Sequence, residues 1–360
     1  MLPTSAPQIQ EEYLEFKRLT MQNIFIIYTG GTIGMVKDPE TGTFVPFDFE
    51  LIARNLPDLA RLNYKLTVHS FTPIIDSSNM KPSIWVEMAQ IIKDNYEHYD
   101  GFVILHGSDT MSFSASILSF MLEGLQKPVI LSGSQLPIGE IRTDARENMM
   151  TALEIASAKE NGKSIIQEVC ILFDNKLFRG NRSFKYNSAK FEAFRSPNYP
   201  VLAEAGIHIN YNREALLNNN DKQFIMHTKL DDHVGVLKLF PGISPKFIQS
   251  ILDADVRSIV METFGSGNTM TDDWFLDMLA VAVKNGKNIL DISQCKVGSV
   301  ELGRYETSQG LKAIGILNGY DMTFEAAVTK LMYLQGHFED QQSVAYWIER
   351  DIRGELTIND

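Results

Sequence analysis

The chain has 360 residues, which at roughly 150 residues per domain makes about two domains. Its 44% hydrophobic and 22% charged residues match an ordinary globular protein and exclude a disordered or fibrous one. With 33 basic against 45 acidic side chains the net charge is −12, so nucleic acid and anionic membrane are discounted as main partners.

Met1 to Thr20 is polar and carries Glu11, Glu12 and Glu15, unlike the apolar core of a secretory signal. No run approaches the roughly 18 apolar residues of a membrane span, and a cytoplasmic location is expected. Short β-branched and aromatic runs then predict strands at Asn23 to Tyr28, Leu66 to Ile74, Phe102 to Leu105, Pro128 to Leu131 and Glu168 to Phe173. Between them, Ser83 to Tyr96, Ser112 to Glu123 and Ala145 to Ala158 repeat apolar residues every three or four positions, the period of an amphipathic helix. Such alternation implies right-handed crossovers and a mainly parallel sheet.

After about Ala205 a polar stretch begins, with Asn210, Asn212, Asn218, Asn219, Asn220, Asp221, Asp231 and Asp232. From His233 a second alternation predicts strands at Val234 to Leu239, Ser258 to Met261 and Asn288 to Ile292. Helices are expected at Ser244 to Leu252, Asp272 to Lys284, Thr323 to Leu334 and Gln341 to Asp351. The expected fold class is α/β, a larger N-terminal domain with a mainly parallel sheet flanked by helices and a smaller C-terminal α/β domain. The spans are an extension over 1–21, the first domain over 22–207, a linker over 208–232 and the second domain over 233–360. Cys170 and Cys295 lie far apart within apolar runs, predicting two reduced, buried thiols and no paired metal-ligand spacing.

Ligands of open parallel sheets bind beyond the carboxyl ends of the strands, so the turns there are the places to search. Four such turns share one composition: Thr29 to Gly34, Asp76 to Asn79, His106 to Thr110 and Ser132 to Gln135 are all rich in hydroxyls or short polar side chains. The first, TGGTIG, has neither the GxGxxG spacing of a dinucleotide fingerprint nor the ending of a phosphate loop. Its residues fit two readings. Gly30 and Gly31 take angles closed to other residues while Thr32 acts as a cap, or Thr32 is a nucleophile whose oxyanion product is held by nearby N–H groups.

In HGSDT, Asp109 near a helix N-terminus either caps the helix or holds a substrate ammonium group. His106 lacks the companions of a Ser-His-Asp set, and a histidine at a strand end more often serves packing. DNKLFRGNRSFK, from Asp174 to Lys185, carries four cations; usually such runs are solvated surface, but one lysine reaching inward beside Asp109 would ease deprotonation of a hydroxyl. Composition does not single out which one.

Taken together and in this order, these segments resemble the bacterial-type L-asparaginases, most closely their cytoplasmic type I branch. YTGGTIGM at Tyr28 to Met35 is similar to the first family signature, and FVILHGSDTM at Phe102 to Met111 to the second, with Ser108 where threonine is usual. DSSNM at Asp76, KPVILSGSQLP at Lys127, LFRGNRSFK at Leu177, SPNYPVLAEAGIHI at Ser196, TFGSGN at Thr263 and RGELT at Arg353 extend the likeness over about 22–358.

The resemblance implies hydrolysis of L-asparagine to L-aspartate and ammonia through a threonine acyl-enzyme, with no metal or organic cofactor. Thr32 would be the nucleophile, Gly31 would cradle the reacting amide, and Ser108, Asp109 and Lys185 would form a hydroxyl-aspartate-lysine set. Asp109 would also bind the substrate amino group. Ser77 and Ser78 would hold its carboxylate beside Asp76, with Ser134 of the fourth turn also lining the substrate site. A zwitterion needs an anion near its ammonium and donors around its carboxylate, which these turns supply.

Ser108 keeps the hydroxyl of the usual threonine but loses the methyl that restricts its rotamer. Where the family commonly has a tyrosine in the loop after the first motif, this chain has Phe44, and a ring without a hydroxyl relays no proton. Tyr28, water or Lys185 would then take that part, or the loop acts as a lid only. Phe184 stands where a threonine joins a regulatory asparagine site near Ser293, Gln294 and Cys295, which implies weak or absent substrate activation. The family forms homodimers or dimers of dimers in which the small domain completes the partner's site, and Asn268 is the matching residue. The competing readings are an amino-acid binding or sensor protein and an asparaginase-like subunit of a tRNA-dependent amidotransferase.

Overall fold

In the computed structural model the described residues are 21–37, 41–42, 44–46, 64–304 and 306–358. The expected extension therefore lies almost wholly outside the described residues, as does the side chain of Phe44.

The first sheet contains β1 (Gln22–Tyr28), β2 (Tyr64–Ser70), β3 (Gly101–Leu105), β4 (Val129–Ser132), β5 (Val169–Phe173), β6 (Lys176–Arg179), β7 (Ala203–Ala205) and β8 (Ile209–Tyr211). Their spatial order is β8-β7-β6-β5-β4-β3-β1-β2. The neighbours from β2 to β5 are parallel and those from β5 to β8 antiparallel. The central strands are apolar at nearly every position because both faces are covered. Phe25, Ile27, Phe102, Ile104 and Leu131 point to one face, where α1 (Pro82–Asn95) and α2 (Met111–Met121) pack through Trp85, Met88, Ala115 and Leu118. Alternate residues Ile24, Ile26, Tyr28, Val103, Leu105 and Ile130 point to the other, against Met149, Ala152 and Leu153 of α3 (Ala145–Ser157).

The second sheet is four-stranded and fully parallel, in the order β9 (Val234–Lys238), β10 (Ser258–Thr263), β11 (Asn288–Ser293), β12 (Leu317–Asn318). The helices α4 (Pro245–Leu252), α5 (Asp273–Lys284), α6 (Glu306–Ala313), α7 (Phe324–His337) and α8 (Gln341–Ile348) complete it. Ser244, Thr323 and Asp340 each accept a backbone N–H of the first turn of α4, α7 and α8, so these helices begin where the sequence supplies a cap. The fold is the expected α/β architecture of a larger and a smaller unit.

Several elements differ from the expectations. β2 stops at Ser70 rather than Ile74, and Pro73, which has no N–H to give, lies just beyond it. β6 follows β5 through Asp174 and Asn175, both at positive φ (48° and 63°), a two-residue hairpin turn built without glycine. Within the span expected as linker, Ile209–Tyr211 pairs with β7 and extends the sheet edge. Cys170 is buried as expected, but Cys295 is exposed, because the apolar run of β11 ends at Ser293 and the chain turns outward. No helix among the described residues is long and apolar enough to cross a membrane.

The chain returns at its end to the first unit. Helix α7 packs on α2, and its Lys330, fully buried, pairs with fully buried Glu355 at 2.5 Å. Burial would raise the Glu355 carboxyl, but the Lys330 ammonium holds it below its ordinary value; burial lowers Lys330 against the opposing pull of Glu355. Removing one partner strands a charge in the interior, at about 3–5 kcal/mol. Lys330→Met should lose stability of that order in urea unfolding, and adding Glu355→Leu should recover most of it. A double variant no more stable than Lys330→Met would show that the cost does not come from the stranded carboxylate.

Candidate active site

The ends of β1 to β4 are level: Tyr28 pairs with Ser70 and Leu105, and Leu105 with Ser132. The four hydroxyl-rich turns therefore leave the sheet side by side. Backbone hydrogen bonds continue past the strands, from Thr29 N to Leu105 O at 3.0 Å, Ile75 N to Thr29 O at 2.8 Å and His106 N to Ser132 O at 2.9 Å. The turns touch closely enough to need glycine. A Cβ on Gly31, whose φ is +89°, would lie 2.6 Å from the backbone of Gly107, and one on Gly107 would lie 2.5 Å from Ser77 Oγ. Thr110 Oγ1 adds a bond to Ser77 O at 2.7 Å.

Thr32 opens a short 3-10 turn, Thr32–Gly34, half-buried, beside Gly31. Below it the Tyr28 hydroxyl donates to Gly34 O at 3.0 Å, and burial pushes its pKa up to about 12. A phenol so committed and so weakly acidic is a support for the turn rather than a base. After the turn, Met35–Lys37 pairs antiparallel with Phe44–Pro46.

In the second turn, exposed Asp76 accepts both the Ser78 N–H (2.9 Å) and the Ser78 hydroxyl (2.8 Å), which hold its carboxyl below the usual range. Ser77 is buried beneath Gly107 and Thr110. In the third turn, Lys185 Nζ donates to Ser108 Oγ at 2.8 Å and to Asp109 Oδ1 at 2.7 Å. The lysine is 18% exposed and the aspartate 66%. Lys185 arrives from a different part of the chain, on the two-residue strand Phe184–Lys185 paired with Phe194–Arg195. The inward lysine that composition left open is thus Lys185.

Thr32, Gly31, Asp76, Ser77, Ser78, Ser108, Asp109 and Lys185 therefore gather at one sheet end. Ser134 is buried there too, but its hydroxyl is turned back to Leu136 O at 2.6 Å. Asn268 belongs to the other unit, closing the loop after β10 through paired backbone bonds with Phe264.

Residues 23–217 match the family described as asparaginase, N-terminal, and residues 233–348 the glutaminase/asparaginase C-terminal domain. The chain is 39% identical to L-asparaginase 1 of Escherichia coli K12, over 94% of this chain and 99% of that protein. The chain belongs to the asparaginase family. Another asparaginase-family likeness, at 40% identity over 93% of this chain and 62% of the relative, is to a human protein named 60 kDa lysophospholipase. Among solved structures, L-asparaginase I of Vibrio cholerae superposes with a TM-score of 0.86 at 38% identity, covering 94% of this chain and all of that one.

Sequence reading missed the supports of this asparaginase-type site. Asp144, at the start of α3, accepts the N–H groups of Gln135 (3.0 Å) and Leu136 (3.1 Å) and so fixes the fourth turn. Asn148, one turn on, donates to Gly133 O at 2.9 Å and accepts Asp174 N at 3.2 Å. Asp144 directly after the hydroxyl of Thr143, at the start of an apolar period, is a signal that a search for caps would find.

His106 is fully buried. Trp85 Nε1 donates to Ser114 Oγ at 2.8 Å, so the serine hydrogen is left for His106 Nε2, also 2.8 Å away. The remaining proton is then on Nδ1, 2.7 Å from Gly107 O, and the ring is neutral. Burial lowers its pKa to about 4. Because the folded value lies below the unfolded one of about 6.5, the unfolded state takes the proton first, and the associated stability falls as pH drops from about 6.5 towards 4. NMR titration should find the His106 ring neutral at pH 5.5; a ring charged at pH 6.5 would contradict the buried relay.

Proposed function

We propose that the protein hydrolyses L-asparagine to L-aspartate and ammonia through an acyl-enzyme on Thr32. The observation that carries this reading is the meeting of Lys185 with Ser108 and Asp109 beside the Thr32 turn. With Lys185 donating to Ser108 Oγ, the serine hydroxyl keeps one proton and a free lone pair, the equipment of a relay between a nucleophilic hydroxyl and an amine.

In this mechanism Lys185 first releases a proton to water, so that its neutral amine accepts the Ser108 hydroxyl hydrogen; Thr32 Oγ1 then attacks the side-chain amide carbon as its own proton passes to Ser108. The tetrahedral adduct collapses, the C–N bond breaks, and ammonia leaves with a returned proton. Water then cleaves the ester, giving the carboxylate and free Thr32. Asp109, whose Oδ1 is taken by Lys185, offers Oδ2 to the substrate ammonium, while the Ser77 hydroxyl donates to its carboxylate, joined by that of Ser78 once it turns from Asp76. N–H groups of the Gly31 turn stabilise the oxyanion. Every step uses side chains, backbone and water, so the reading calls for no metal or organic cofactor.

The same reading places the protein in the cytoplasm as a closed-symmetry homo-oligomer, Asn268 of each protomer completing its partner's site. It also predicts no strong substrate activation. Phe184, Cys295, Lys296, Tyr320 and Glu325 surround a cavity of about 20 Å³, room for a water and not for an amino acid. Lys296 Nζ lies 5.6 Å over the Phe184 ring.

Ammonia release from L-asparagine tests the reading. Thr32→Ala should lower turnover by about 10³-fold or more and Lys185→Met by a factor on the order of 10²–10⁴. Near-normal turnover by Thr32→Ala would sink the mechanism, and asparagine binding without ammonia release would mark a binding protein instead. The rate should rise hyperbolically with asparagine; a sigmoidal curve would contradict the closed cavity at Phe184.

A further inference from the structure

The residues that lead into Lys185 are gripped by the C-terminal end of the chain. Gly180–Arg182 forms a 3-10 turn, and Arg182, with only 2% of its side chain exposed, reaches away from the site. Its Nε donates to Gly354 O at 2.7 Å and its Nη2 to Thr357 Oγ1 at 2.9 Å. Nη1 lies 2.8 Å from the Asp321 carboxylate, whose other oxygen accepts Thr357 N at 2.7 Å. Asn181, buried, donates to Arg353 O at 3.0 Å.

The opposite side of the same turn rests on α2. A Cβ on Gly180 would lie 3.0 Å from Ala115 Cβ, and Ser116 Oγ reaches Gly180 O at 3.5 Å. Helix α2 is the element into which Ser108 and Asp109 run. The turn is thus clamped between the helix that carries two members of the site and a tail anchored by Lys330 on Glu355. Among the described residues Arg182 makes no hydrogen bond to Ser108 or Asp109, and the nearer route from it to them runs along the chain to Lys185, three residues on.

We propose that the tail Arg353 to Thr357 is a strap that positions Lys185 through Arg182. A guanidinium suits this task because its planar fork fixes direction on two acceptors at once while its third nitrogen pairs with the Asp321 carboxylate, which an ammonium does not. The inference rests on the catalytic reading of Lys185 given above. Arg182 and Thr357 are positioning residues: they act on the rate through where the lysine amine sits, and leave the turns that hold substrate, Asp76 to Ser78, untouched.

The test is a double-mutant cycle on ammonia release. Arg182→Ala should lower kcat about tenfold or more with KM changed by less than about threefold, and added guanidinium ion should restore part of the rate. Thr357→Val, which removes one acceptor, should act in the same direction by about threefold and serves if Arg182→Ala does not fold. In a Lys185→Met background each change should have less than about a twofold effect, because the group it positions is gone. Equal losses in both backgrounds, or an unchanged kcat, would overturn the strap. An inactive wild type overturns it together with the catalytic reading, whereas an active wild type with an unaffected Arg182→Ala overturns the strap alone.

Discussion

The candidate site depends on one geometric constraint, the common level at which four parallel strands end. Tyr28, Ser70, Leu105 and Ser132 share a line across the sheet, so the turns that follow are forced into contact. Gly31 meets the backbone of Gly107 and Gly107 meets the Ser77 side chain, contacts that exist only because the two glycines carry no Cβ. A substrate held there meets hydroxyls and N–H groups fixed before it arrives, which is the arrangement electrostatic catalysis requires. Strands of unequal length would have separated the same residues by several ångströms, since each added residue moves a turn by about 3.3 Å.

Two kinds of ion pair serve two different ends. Lys185 and Asp109 are in part open to water, so their attraction contributes little to stability; its consequence is orientation, because it turns the amine towards Ser108. Lys330 with Glu355, and Arg179 with Glu168 at 2.6 Å, are almost wholly shielded. Buried pairs of this sort gain little against apolar side chains of the same size, yet breaking one is costly. Arg179 also donates to Gly354 O and Ala215 O, so the buried charges join strand β6, the segment beyond β8 and the tail of the chain. The interior electrostatics thus hold distant parts of the sequence in register, while the open electrostatics are left to chemistry.

The sequence by itself determined the architecture and the turns that form the candidate site. Runs such as IFIIY and FVIL are apolar at every position, which only a sheet covered on both faces allows, and the periodic segments between them make the crossovers parallel. The rule that ligands bind beyond the strands' carboxyl ends then led to the four turns with no coordinates, and the family resemblance implied Thr32, Ser77, Ser108 and Asp109 within them. The sequence was silent where the physics is not local. The Asp174-Asn175 turn, the return of Ile209–Tyr211 to the sheet edge and the exposure of Cys295 depend on what packs nearby.

Composition and periodicity left open which of four cations faces the site; the resemblance implied Lys185, and only the folded chain brings its amine to Ser108, 77 residues away. Tertiary structure decided that His106 is a neutral packing residue, through Trp85 and Ser114 on two separate helices. It decided as well that the last residues of the chain grip Arg182, a contact across 172 positions. Propensity and periodicity report on neighbours within a helical turn or a strand. Hydrogen bonds between side chains brought together by burial do not pass through such neighbours, so the sequence names these residues and only the folded chain pairs them.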